Sequence, residues 1–80
     1  MTPEIARRLG ATPQERGSAG NHSCPDLFEL ADGRFAVIGT DMTDELSGKL
    51  PPDAGVAPYE RIVVITRDTL LRAKGDIAGL

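Results

Sequence analysis

The apolar positions of this chain gather in two clusters, Leu27 to Ile38 and Ile62 to Leu71, separated by a polar, proline-containing stretch. In the first, LFELADGRFAVIG, the pair Asp32-Gly33 suits a two-residue type I′ hairpin turn, whose central residues both take positive φ. That turn predicts strands over 27–31 and 34–39, with Leu30 opposite Phe35 and Phe28 opposite Val37. Phe28, Leu30, Phe35 and Val37 then share one face. A slip of one residue would turn one strand's apolar set toward water, so turn chemistry and hydrophobic pattern agree on this register.

The run RIVVIT predicts a third strand over 61–66, paired with the hairpin, because consecutive β-branched residues fit a central or doubly covered strand. Thr66 is the expected N-cap of a helix over 67–74, with Asp68 in its first turn, Arg72 and Lys74 in its last, and Gly75 as its stop. Leu70, Leu71 and Ala73 are expected to face inward. The connection 41–60 is long for a compact domain and so has structure or a use of its own. Thr43 caps one short helical turn in DELSGKL, Asp53 marks a tight turn, and the prolines of LPPDAGVAPYE hold the loop by stiffness more than by hydrogen bonds.

At the start, Thr2, Pro3 and Glu4 read as the opening of a helix that Gly10 would close. Two turns are too few to stand alone, so this helix must dock or fray. The segment ATPQERGSAGNHS lacks periodicity and reads as a mobile linker. The expected architecture is α+β: a small antiparallel sheet of about three strands, a C-terminal helix and a short N-terminal helix. Residues 1–24 are helix plus linker, and 25–80 form a single small domain.

Eighty residues limit the chain to one modest core that needs outside support, such as a metal or a second subunit. The one cysteine, Cys24, rules out an internal disulfide and makes a reduced, cytoplasmic setting the expectation. No stretch is long and apolar enough to span a bilayer or to serve as a signal peptide. A net charge of −3 argues against a broad nucleic-acid surface. Residues 1–24 carry a local excess of base through Arg7, Arg8 and Arg16, which could reach toward nucleic acid or an acidic partner.

Candidate chemistry is sparse. His22 and Cys24 are zinc-ligand types, yet a closed structural site needs four ligands and the chain has no further His or Cys. Only a dimer could pool two such pairs. Cys24 as a nucleophile lacks a rigidly held base. Asp41, Asp44, Glu45 and Asp53 match turn and helix-start positions on a solvated surface better than paired acid/base chemistry. Phosphate-cradling and nucleophile-elbow motifs are absent. No cofactor and no enzymatic activity are therefore expected.

More apolar sheet is predicted than one helix can cover, and this surplus predicts a dimer or partner interface. Leu27, Ile38, Ile62 and Val64 are its candidate apolar residues, and Arg7 and Arg8 on the short N-terminal helix are further interaction candidates. In its Gly20-Asn21 lead into Cys24, Glu29 on a first strand, Ala36-Val37 on a second ending near Asp41, and Thr66 capping a last helix, the chain resembles the small actinobacterial proteins of unknown function that accompany Xre-type helix-turn-helix regulators, the BldB-like group. The aromatic of that group's final helix is replaced here by the region of Leu70 and Leu71, and the middle connection is longer. The resemblance implies a dimerising regulatory protein that binds a helix-turn-helix transcriptional regulator and contributes no catalytic residues. The alternative is an accessory protein of a biosynthetic pathway, or a metal carrier using His22 and Cys24.

Overall fold

A computed structural model describes residues 3–12, 14–15 and 25–80. Its elements run β1 (Ile5–Arg8), β2 (Asp26–Leu30), β3 (Phe35–Ile38), β4 (Thr40–Asp41), α1 (Thr43–Leu46), a 3-10 turn (Ser47–Lys49), β5 (Val63–Val64), α2 (Arg67–Arg72) and α3 (Lys74–Ala78). The α+β class is as expected, with an antiparallel sheet in the order β1-β2-β3 and a second, two-stranded sheet of β4 and β5.

The expected N-terminal helix is instead an edge strand. Extended backbone lets Arg7 reach Glu29 at 2.8 Å and Arg8 reach Asp26 at 3.0 Å across β2. A free two-turn helix would offer neither partner nor packing. The chain leaves β1 through Leu9, whose amide donates to the Leu27 carbonyl at 2.9 Å, and turns at Gly10, with φ +83. A side chain at Gly10 would stand 3.0 Å from the Ala73 nitrogen, so this glycine meets both a left-handed backbone and a close approach. The proposed cap Thr2 and the linker residues 16–24 lie outside the described residues.

The hairpin forms, but one residue out of the expected register. Asp26 faces Ile38, Leu27 faces Val37, Phe28 faces Ala36 and Glu29 faces Phe35. Only Gly33 takes positive φ, at +90, while the Gly33 amide donates to the Leu30 carbonyl at 3.1 Å. Asp32 stays out of the left-handed region, its carboxylate accepting from the Arg34 amide at 3.0 Å and from the Arg34 guanidinium at 2.7 Å. The result is a three-residue loop, a turn closed by a left-handed glycine, in place of the two-residue type I′ loop. Because side chains alternate, this slip divides the expected apolar set between two faces. Leu27, Phe35 and Val37 lie on one, and Phe28, Leu30, Ala36 and Ile38 on the other.

The first of these is the core face. Leu9, Leu27 and Ala73 are its buried apolar residues, with Ile65 packed against them. The helices sit here: Asp76 of α3 accepts from the Gly10 amide at 2.7 Å and lies 3.7 Å from Arg7, whose side chain shares the face with Glu29. Thr66 caps α2 as expected, its hydroxyl accepting from the Thr69 amide at 3.2 Å. The expected stop at Gly75 is not used. The helix breaks at Ala73, pressed against Gly10, and resumes as α3 with Gly75 inside it and Gly79 at its end. Of the three residues expected to face inward only Ala73 does; Leu70 and Leu71 are more than half exposed, and Thr69 takes the buried position.

The third expected strand shrinks to Val63–Val64 and pairs with Thr40–Asp41, the continuation of β3 beyond Gly39, instead of with the hairpin itself. Residues 61 and 62 are held another way: the Arg61 guanidinium binds Asp41 at 3.0 Å, and the Ile62 amide donates to the Thr43 hydroxyl at 2.7 Å. Thr43 is thus the first residue of α1 and not its cap. The cap position belongs to Met42, whose side chain makes no capping bond, and Asp41 just before it accepts from the Thr43 amide at 3.1 Å and the Thr43 hydroxyl at 2.7 Å. The proline-containing loop has hydrogen-bonded turns: Ala54 donates to the Pro51 carbonyl at 3.0 Å, around Asp53 as expected, and Glu60 to the Ala57 carbonyl at 2.9 Å.

Candidate functional site

Two apolar surfaces remain after the elements have packed. One is the sheet face opposite the helices. The register sets Ile5 beside Leu30 and Arg8 beside Phe28 on that side, and carries Ala36 and Ile38 alongside. Ile5 is 62% exposed and Ile38 54%, with Phe28, Leu30 and Ala36 half-buried between them. The Arg8 guanidinium lies 5.2 Å above the Phe28 ring and binds both carboxylate oxygens of Asp26, so a polar clamp borders this patch. The other surface is an open apolar cleft of about 230 Å³ beside the helices, lined by Leu9, Leu27, Leu70, Ile77 and Leu80 and, from the hairpin, by Phe35 and also by Phe28 and Ala36, which thus border both surfaces.

The candidate interaction residues do not assemble into one site. Leu27, at 8% exposure, belongs to the core, because the one-residue change of register moves it from the open face to the helix side. Ile38 lies on the open face as expected. Ile62 is half-buried beside Thr43, and Val64 is in the small β4/β5 sheet, away from Ile38's neighbours in the register. Arg7 and Arg8 are not side chains of a free helix. Arg7 is held by Glu29 and Asp76, and Arg8 by Asp26. Ile5, Phe28 and Leu30 were missed as surface residues, because the helix-start chemistry of Thr2-Pro3-Glu4 hid the strand that sets Ile5 beside Leu30.

A second, open groove of about 430 Å³ is lined by Leu50, Val56, Glu60, Arg61 and Ile62 among others. Its charged groups are already engaged: the Glu60 carboxylate accepts from the Ala57 amide at 2.9 Å, and Arg61 binds Asp41. Asp41 is the one carboxyl held far from its ordinary state. The Thr43 hydroxyl first, then the Thr43 amide and the Arg61 guanidinium, lower it from 3.8 to about 2. Such a carboxylate is fixed in its ionised form and is a poor proton carrier at neutral pH.

Among the described residues no group of three or more His, Cys, Asp and Glu is placed to hold a metal ion, and His22 and Cys24 lie outside them. No helix of the described residues is long and apolar enough to cross a membrane. Comparison with protein-family models, with curated proteins and with solved structures finds no match to this chain.

Proposed function

We propose that this chain is a non-enzymatic interaction module that docks a protein partner on the open sheet face formed by Ile5, Phe28, Leu30, Ala36 and Ile38. The observation that carries the reading is the exposure of Ile5 and Ile38 at either end of an apolar patch whose opposite sheet face, among the described residues, is the one that meets Ala73 and α3. Contiguous apolar surface of this kind is costly to leave in water and marks an interface. The Arg8–Asp26 clamp beside Phe28 supplies a rim whose charges are already paired, so a partner with an apolar contact surface fits better than a polyanion.

The partner we propose is a helix-turn-helix transcriptional regulator in the cytoplasm, a choice supported by the resemblance to the proteins that accompany Xre-type regulators. The test is coexpression with such a regulator from the same gene neighbourhood, followed by titration calorimetry of the purified pair. A stoichiometric complex is expected, lost in Ile38→Asp and Ile5→Glu and retained in Arg72→Ala on the helix side. Absence of binding by the wild-type chain, or binding unaffected by both open-face variants, overturns the reading.

A further inference from the structure

The hairpin loop holds two groups that can react with one another. Of the seven aspartates in the chain, only Asp32 is followed by glycine. Where an aspartyl carboxyl lies beside an unhindered following amide, the backbone nitrogen can attack it. The N–Cγ bond forms, the carboxyl hydroxyl leaves with the amide proton as water, and a cyclic succinimide results. Water then reopens the ring at either carbonyl, returning aspartate or leaving isoaspartate, whose backbone runs through Cβ and Cγ and is one atom longer. Water is the only co-reactant, and nothing is oxidised or reduced.

The Gly33 nitrogen has little steric shielding: the residue has no side chain, its φ is +90, and nothing stands within 4 Å of the place a Cβ would take. Both reacting groups are nevertheless engaged. Oδ2 of Asp32 accepts from Nε of Arg34 at 2.9 Å and from Nη2 at 2.7 Å, while Oδ1 accepts from the Arg34 amide at 3.0 Å. The Gly33 amide donates its proton to the Leu30 carbonyl at 3.1 Å. Ring closure needs the opposite of each state: a carboxyl that carries a proton, so that water can leave, and an amide nitrogen that has given its proton up. The Arg34 guanidinium first, and then the Arg34 amide, holds the Asp32 carboxyl below the usual carboxylate range, so the ionised and unreactive form is favoured.

We infer that Asp32-Gly33 is a latent site of isoaspartate formation and that Arg34 is the residue that keeps it closed. The grip lies within the loop itself and is open to solvent, the Arg34 side chain being 69% exposed, so withdrawal of the guanidinium is enough to release the carboxyl. The consequence reaches past the loop. Its three residues set the register that buries Leu27 and leaves Ile38 on the open face. An extra backbone atom between Asp32 and Gly33 alters the turn in which the Gly33 amide meets the Leu30 carbonyl, and so loosens that register. Arg34 thereby protects the face proposed for partner docking, yet the chemistry of the loop does not rest on that proposal and is tested with no partner present.

The full chain is aged at neutral pH and physiological temperature, and isoaspartate at residue 32 is followed by mass-spectrometric fragmentation that distinguishes the two backbone isomers. Wild type, Arg34→Ala and Arg34→Gln are compared, each folded and each unfolded in urea, with amide exchange at Phe28 and Ala36 reporting whether the hairpin persists. Folded wild type is expected to convert at least about tenfold more slowly than the unfolded chain, because the loop must open before the ring can close. The folded variants are expected to convert about three- to fivefold faster than folded wild type, the scale of a well-aligned exposed ion pair, and all three chains at one rate when unfolded. Should a variant lose the hairpin, folded wild type in concentrated salt takes its place, since salt screens an exposed pair, and the same rise is expected. A folded wild type that converts as fast as the unfolded chain overturns the inference. So does conversion that fails to rise when Arg34 is replaced or, where replacement unfolds the hairpin, when salt screens the pair.

Discussion

Thr43 shows how much one small side chain can organise. At 8% exposure its hydroxyl donates to Asp41 and accepts from the Ile62 amide, tying the end of the hairpin extension to the strand that returns from the long loop. In Thr43→Val the partly buried Ile62 amide loses its partner, and urea denaturation should show a loss of about 1–3 kcal/mol. Asp41 responds too, because that hydroxyl is the largest reason its carboxyl is held at about 2. A carboxyl whose folded value is depressed adds stability that is complete above its unfolded value, near 3.8, and disappears as pH falls through about 2. The wild-type chain is therefore expected to lose thermal stability between those limits, and Asp41→Asn should lose less across the same window. An NMR titration of the Asp41 carboxyl carbon checks the position directly, and in Thr43→Val its midpoint should move up toward the ordinary value.

Elements were legible in the sequence where local chemistry dictated them and illegible where a long-range contact chose between two local options. Thr66 caps α2 because its hydroxyl and the Thr69 amide are neighbours in any helix, and Thr66→Ala should cost about 1 kcal/mol by denaturation. The hairpin was found from Asp32-Gly33 for the same reason. Its register was not, because Asp-Gly also supports a three-residue loop, and the Asp32 carboxylate settles on the Arg34 amide instead of entering the left-handed region. That single residue of slip decided which apolar side chains reach the core, and so decided the candidate site: Leu27 left it, while Phe28 and Leu30 entered. The N-terminal strand was hidden more deeply, since Pro3, Glu4 and Gly10 are helix punctuation and only the distant carboxylates Asp26, Glu29 and Asp76 reward the extended form. Gly39 was equally silent, its role being the close passage of the Val64 carbonyl oxygen. In Gly39→Ala the β4/β5 sheet should be pried from β3, visible as faster amide exchange at Thr40 and Val64 with the hairpin amides unchanged.

At the level of the whole molecule, the apolar residues that are buried are few, and the exposed ones are many. Leu9, Leu27 and Ala73 make the core, while Ile5, Phe35, Val37, Ile38, Leu70, Leu71 and Leu80 remain largely in water. A sheet with helices on one face only is stable as a layered unit when its other face or its edge meets something else. This division gives apolar residues of the same hairpin opposite consequences. Leu27→Ala removes side-chain volume from a core that has little to spare, and the expected loss is about 2–5 kcal/mol, enough to unfold a chain of this size. Ile38→Ser removes an apolar side chain from an uncovered face, and the stability of the isolated chain should change by no more than about 0.5 kcal/mol. Urea denaturation of both variants separates the two roles, because the register first expected from the turn would have placed Leu27 and Ile38 together on the uncovered side and made the two losses equally small. Unequal losses in the stated order would fix Leu27 as a fold residue and leave Ile38 available for binding, with the chain's own stability untouched by its replacement.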